Sequence, residues 1–355
     1  MTKIPPHRGE RQALMPSTKI ITGKASTAAH EEYRLQYSGE AIEVLQNTAM
    51  KGIHTMEGLN QFGLSLEGRV IIKDKDGDVE VRLFNIERVN LNVQAKKLLD
   101  MLLMKLSEKL PYGKEGIKKA TLKDCRLVVT LDEFMILCSL SDRKNAREQF
   151  RKATEALFSI YMTFDYTTWE VKGKRRKSVK HHFSSYIIDG TDEVRTLDKD
   201  PVVDSRITVG FSPMLIEYLC KKYLMPVNIK IFAINPRTNP HAYTLARHLA
   251  EVYRIRMNKG QPPRISVRTL LETSCPELSS VEEVREKEHR KYWEKIYKPV
   301  QRDLDAIADT YGLVDWHYCH RNGEPLSDEE LANHNFEDWL DFMIEFTLPD
   351  YPERG

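Results

Sequence analysis

The feature that most limits how this chain can fold is a change of rhythm between residues 141 and 187. Ala146, Phe150, Ala153 and Leu157 recur at intervals of three and four, which puts them on one face of a helix over 141–160 with Ser141 as its N-cap. From Tyr161 to Val171, and again from Val179 to Ile187, apolar and polar residues alternate instead, the period of half-buried strands. One pattern cannot serve both states, because a face built on 3.6 residues per turn scatters to both sides of a strand. A long apolar helix over Leu91–Leu110, a strand over Arg126–Thr130 and a short helix over Leu131–Leu137 are expected before this segment. A strand over Ile207–Phe211 and a helix over Pro213–Tyr223 are expected after it. Helix, short helix, long helix and β-hairpin is the winged-helix order.

The order recurs further along. Asn239-Pro240 reads as an N-cap and first turn opening a helix to about Met257, with Leu245, Leu249 and Val252 inside. Ser266 caps a short helix over Val267–Thr273, and a long charged helix follows over Val281–Thr310, with a break or kink expected at Pro299. Leu313–Cys319 alternates into an Asn322-Gly323 turn, and Phe342–Leu348 returns as a strand. The expected fold class is therefore α+β: two tandem winged-helix domains, each a helix-turn-helix plus a β-hairpin wing, behind an N-terminal extension. Residues 1–28, rich in Pro, Ser, Thr and Lys, read as a flexible tail. The extension over 29–90 reads as a helix over 29–50 and a hairpin of Arg69–Lys73 and Val79–Phe84. Domain boundaries fall at 91–230 and 231–355, the second domain ending in an acidic segment.

Charge is distributed unevenly along this order. Lys and Arg number 20 against 12 acids over residues 91–190, but 22 against 28 over 191–355, so the basic excess sits on the first helix-and-hairpin unit. On the helix, Arg143, Lys144, Arg147, Arg151 and Lys152 lie opposite the apolar face, and Arg143, Arg147 and Arg151 form a stripe at intervals of four. A helix fits the DNA major groove, where Arg can take guanine or phosphate through two bonds at once. Lys172, Lys174, Arg175, Arg176, Lys177 and Lys180 crowd the hairpin tip with no acid among them, a density that a polyanion would neutralise. In the second unit Lys291, Lys295, Lys298 and Arg302 repeat the pattern, diluted by Asp303, Asp305 and Asp309. Solvated charge on a helix face, and lysines guarding an edge strand, are the structural alternatives.

Several chemistries lack their residues. No Gly-x-x-x-x-Gly-Lys-Ser/Thr phosphate loop occurs. His317, Cys319 and His320 with Cys275 suggest zinc, but paired Cys-x-x-Cys spacing is missing, so they read as wing residues. Asp74, Asp76 and Asp78 resemble a calcium loop, yet Gly77 and Asn85 stand at positions that an EF-hand cannot use, and a hairpin turn fits better. His181-His182 and His317/His320 have the wrong spacing to hold the metal of a rolling-circle nickase. The expectation is no catalytic residue, no metal and no cofactor. Five scattered cysteines argue for a reducing compartment. The first residues show no secretory h-region, and no apolar run could span a bilayer, so the expected location is cytoplasmic with no membrane partner.

The doubled order, together with Asn235-Pro-Arg-Thr-Asn-Pro-His-Ala-Tyr-Thr-Leu-Ala-Arg-His-Leu249 opening the second half, resembles the winged-helix replication initiators of plasmids and related mobile elements. The resemblance covers about residues 90–350. It implies sequence-specific binding of repeated sites in double-stranded DNA at an origin, one domain per successive groove. It also implies contact with host replication proteins, a homodimeric form that represses, and an association with plasmid or nucleoid. A winged-helix transcriptional repressor and a metal-dependent nickase or nuclease stay open as alternatives.

Overall fold

The computed structural model describes residues 32–38, 42, 69–74, 77–84, 92–120, 126–158, 160–172, 175–194, 206–275 and 292–352. The tail expected over 1–28 lies outside them, as does the stretch 281–291 of the expected long helix.

Helix α1 (Val93–Lys109) is capped by Asn92, whose side chain accepts from the Ala95 N–H, and it is buried on almost every side. A short α2 (Lys114–Lys119) and β4 (Arg126–Thr130) lead into α3 (Leu131–Leu137). Thr130 closes a capping box there: its hydroxyl accepts from Glu133 N at 3.1 Å and its own N–H donates to the Glu133 carboxylate at 2.9 Å. Helix α4 (Arg143–Phe158) begins after a turn in which Ser139 takes φ +51°. Its cap is Asp142, which accepts from Lys144 N and Asn145 N, and not the expected Ser141. Ala146, Phe150, Ala153 and Leu157 are buried as their spacing predicts. The Phe150 ring packs 5.0 Å from that of Phe134, so α4 is locked across α3 and α1.

After α4 the chain makes two excursions. Strands β5 (Tyr161–Lys172) and β6 (Arg175–Tyr186) pair along their whole length. They join β2 (Arg69–Asp74) and β3 (Gly77–Phe84) in a four-stranded antiparallel sheet ordered β2-β3-β5-β6. At buried Ile187 the chain turns into β7 (Ile188–Val194), which pairs with β8 (Arg206–Phe211). The sheet that closes on α3 and α4 is ordered β4-β8-β7. This corrects one expectation. The hairpin expected to be the wing beside these helices, 161–187, forms a separate sheet with the N-terminal hairpin, while β7, which the sequence reading missed, takes the wing position.

Helix α5 (Pro213–Lys221) is followed by β9 (Tyr223–Asn228), which pairs with β1 (Tyr33–Ser38) in register Tyr33↔Asn228 to Ser38↔Tyr223. A helix was expected over 29–50. Residues 33–38 are extended instead, because β9 supplies a hydrogen-bond ladder from nearly 200 residues away and Tyr37 is buried against α1, its hydroxyl donating toward Leu110 O and Pro111 O.

In the second half, α6 (Ala242–Asn258), β10 (Arg264–Ser266) and α7 (Val267–Ser274) precede a helical stretch from 292 to 310. That stretch stays helical through Pro299, where a break or a kink was expected. A π turn at Trp293–Tyr297 hands over to α8 (Lys298–Asp305), and a second π turn closes it at Ala306–Thr310. Lys298 N bonds five residues back to Trp293 O, so the ladder is already widened where the proline lacks its N–H. Strand β11 (Asp315–Cys319), the short helices α9 (Asp328–Ala332) and α10 (Phe336–Asp341), and β12 (Met343–Thr347) complete the chain. Their sheet is ordered β10-β12-β11, the same helix–strand–helix–helix–strand–strand arrangement as β4-β8-β7 around α3 and α4.

Two apolar cores result, one around α1, α4 and α5, the other around α6, α7 and α8. Helix α1 serves both, since Met104 packs in the second. Its buried polar residues reach the same way. Lys97 Nζ donates at 2.6 Å to both Phe232 O and Ile234 O. Asp100, fully buried, accepts from Tyr243 Oη at 2.5 Å and Gln36 Nε2 at 3.2 Å, with Arg247 Nε 3.4 Å away. Burial pushes the Asp100 carboxyl up, while Arg247, Tyr243 and Gln36 pull it the other way.

Burial lowers the Lys97 ammonium from its ordinary 10.5 to about 8. Between those values the unfolded chain holds the proton that the folded chain has released, so this residue's contribution to stability rises with pH over that window and is constant below it. Urea unfolding of the wild type and Lys97→Met from pH 7 to 10 should show the wild type gaining on the variant as pH passes 8. A constant difference across that range would place the titration elsewhere.

Candidate nucleic-acid interface

Helix α4 follows the turn of the helix pair and presents its polar face to solvent because Ala146, Phe150, Ala153 and Leu157 consume the other. Lys144, Arg147, Arg151 and Lys152 are exposed along it, and Arg143 is half-buried. Most of this charge already has a local partner. Arg143 holds Asp132 of α3 at 2.5 Å, Arg151 holds Glu155 at 2.6 Å, and Lys152 holds Glu148 at 2.7 Å. Exposed pairs of this kind contribute between about 0 and 1 kcal/mol, so a phosphate could displace them at small cost. Arg147 has no ion pair among the described residues, and it stands midway along the arginine stripe. The interface is thus a row of exchangeable cations around one uncommitted guanidinium.

The basic hairpin lies beyond the C-terminal end of α4. The structure fixes the strand positions of Lys172, Arg175, Arg176, Lys177 and Lys180: Lys172 pairs with Arg175, Val171 with Arg176, Glu170 with Lys177 and Thr167 with Lys180. Lys174 lies outside the described residues. Because β3 pairs with β5, the N-terminal hairpin and the basic hairpin form one sheet, with β6 at its outer edge. Strands β2 and β3, which the sequence reading gave a hairpin but no function, are therefore part of the platform that carries the basic strand.

On the second unit, Lys295, Lys298 and Arg302 are exposed on the helix facing away from buried Ile296, Val300 and Leu304. Lys298 pairs with Glu294 at 2.5 Å and Arg302 with Asp303 at 3.0 Å, while Lys295 has no ion pair among the described residues. Lys291 lies outside them. Asp303, expected only to dilute charge, is fully buried and has a structural task. Its carboxylate accepts from His241 N at 2.8 Å and Asn239 Nδ2 at 3.2 Å, so it caps α6, the role the sequence assigned to Asn239. Asp303 thereby fixes the charged helix against the first helix of its own unit. Of the wing residues, His320 turns to Glu330 at 3.2 Å, and the acids of α10 face Arg268, which lies 3.4 Å from Glu337 and 3.5 Å from Asp341.

A short helix, a turn and a solvent-facing basic helix closed by a three-stranded sheet define a winged helix-turn-helix. Residues 79–248 match the family model described as initiator replication protein, WH1. Two solved structures of domains 2 and 3 of RctB are similar in outline. One is 10% identical with a TM-score of 0.39, covering 78% of this chain and 90% of its own. The other, a selenomethionine derivative, is 13% identical with a TM-score of 0.40, covering 79% and 90%. No curated protein matches the chain. Among the described residues, no helix is long and apolar enough to cross a membrane.

Replacing Asp303 with Ala removes the acceptor at the start of α6 and leaves its donors unsatisfied, a loss of about 1–3 kcal/mol. Urea denaturation should show the midpoint falling accordingly. An unchanged midpoint would mean that water replaces the carboxylate.

Proposed function

We propose that this protein is a replication initiator that binds repeated, specific sequences of double-stranded DNA at an origin and recruits host replication proteins, catalysing no reaction itself. The observation that carries the reading is Arg147, exposed and without an ion pair among the described residues, at the centre of the basic helix of a winged helix-turn-helix that matches the initiator family model. Such a helix enters the major groove, where a guanidinium with no ion pair among the described residues has none of those pairs to break on taking a base edge. The neighbouring Arg143, Lys144, Arg151 and Lys152 would hold phosphates, and the basic strand of the hairpin would extend that grip along the backbone.

The reading includes a second DNA-contacting winged-helix unit over 231–355, after a first over 91–230. The common order of the β4-β8-β7 and β10-β12-β11 sheets supports it, as does the exposure of Lys295, Lys298 and Arg302 on the corresponding helix. Two units in tandem would read two successive grooves. A homodimer, a cytoplasmic location and an association with plasmid or nucleoid accompany this reading.

Selection of bound duplexes from a random library at two salt concentrations should recover one motif about two helical turns long, as expected of modules docking one turn apart. A motif of one turn would confine readout to a single unit, and binding with no motif would remove the origin function. Arg147→Ala should relax preference at one or two base pairs at a cost of about 1–3 kcal/mol. Alanine at Arg175, Arg176 and Lys177 together should weaken all sequences alike and flatten the salt dependence by about 0.9 for each phosphate that is no longer neutralised. An unchanged salt slope would separate the hairpin from DNA. Maintenance of a plasmid carrying the selected motif, only when the protein is present, distinguishes an initiator from a repressor.

A further inference from the structure

One cluster outside the basic helices combines chemistries that DNA binding leaves unused. On one face of the β10-β12-β11 sheet, His317 lies directly across from Glu345, and Glu345 across from Arg264. Cys319 is two residues beyond His317 on the same strand and so shares its face. Tyr318, Ile344 and Phe346 take the opposite face and are buried in the second core. A nitrogen of His317, the Cys319 sulfur and a carboxylate oxygen of Glu345 all lie within 4.8 Å of one another. The other two residues that the sequence grouped with His317 and Cys319 are placed elsewhere: His320 is turned to Glu330, and Cys275 is buried in the core. Glu345, remote in sequence, takes their place.

We propose that His317, Cys319 and Glu345 form a binding site for a divalent transition metal of the zinc type, with its fourth position open to solvent. Imidazole, thiolate and carboxylate are all zinc ligands, and a thiolate disfavours magnesium and calcium, which take oxygen. Three protein ligands leave a tetrahedral ion one free position, unlike the closed four-ligand sites of zinc fingers. Arg264 acts as a positioning residue. Its Nε donates to Glu345 Oε2 at 2.5 Å, which holds one carboxylate oxygen and leaves the other for the ion. Its guanidinium lies against Gly323, at φ +95°, where any side chain would collide with it. His317 is exposed, so the ion has a path of entry. The ligands come from two neighbouring strands, so the metal would clamp β11 to β12 beside the second basic helix and couple the stability of that sheet to metal supply.

The test uses the full chain, reduced, titrated with cobalt(II) as a spectroscopic stand-in for zinc. One equivalent should produce the visible bands of a tetrahedral ion and a thiolate charge-transfer band in the near ultraviolet, both abolished by zinc. Cys319→Ser should lose the charge-transfer band, and His317→Ala should weaken cobalt binding about tenfold or more. Far-UV circular dichroism of each variant checks that the fold is kept. If Cys319→Ser does not fold, His317→Ala and Glu345→Gln decide the matter through affinity. No thiolate band at one equivalent, its survival in Cys319→Ser, or wild-type affinity in the His317 and Glu345 variants would overturn the site. None of these outcomes depends on whether the protein binds DNA.

Discussion

The structure depends on the burial of charged groups within α1. An apolar helix with Lys97 and Asp100 on it cannot be covered by hydrocarbon alone, because an ionised group without partners is too costly to bury. The second half of the chain supplies those partners: carbonyls of Phe232 and Ile234 for the ammonium, Tyr243 and Arg247 for the carboxylate, with Gln36 from the N-terminal strand completing the set. Each half therefore fits the other through directional bonds as well as apolar area. A pair of buried charges is weak evidence for stability but a strong constraint on geometry, since a displaced partner leaves a bare charge inside. The relative placement of the two basic helices rests on this arrangement.

Around that joint the same solution appears twice. In each half a capped short helix and a longer charged helix are closed by a three-stranded sheet in which the first strand pairs with the last. The charged helix is held differently in each. Helix α4 is fixed by apolar packing, with Phe134 against Phe150, so its polar face is left to cations. The second helix is fixed partly by a buried carboxylate, Asp303, which bonds the start of α6. An acid that looks like dilution of a basic face is thus an anchor, and the exposed cations beside it remain available.

The basic hairpin stands apart from this repeat. It is inserted between α4 and the closing sheet and gains its neighbours from β2 and β3. A two-stranded hairpin alone is marginal in water, and four strands make it a stable platform. The helix-turn-helix keeps its own, shorter wing of β7 and β8.

What the sequence determined by itself was local. The apolar rhythm located α1, β4, α3, α4, β5 and β8 to within a residue or two of their ends, placed β6 with its start four residues late, and separated buried Ala146, Phe150, Ala153 and Leu157 from the arginine stripe. The match of residues 79–248 to an initiator winged-helix family agrees with the resemblance that these patterns suggested. Local period is legible because it depends only on backbone geometry. Tertiary structure decided everything that needed a distant partner. Residues 33–38 became a strand because β9 was there to pair with them. β7, and not β5–β6, took the wing position because β8 pairs with both it and β4. Pro299 was accommodated just after a π turn, and Glu345 replaced His320 and Cys275 beside His317 and Cys319. Pairing across a sheet and the cost of a buried charge are set by neighbours tens to nearly two hundred residues away, and no local window along the chain contains them.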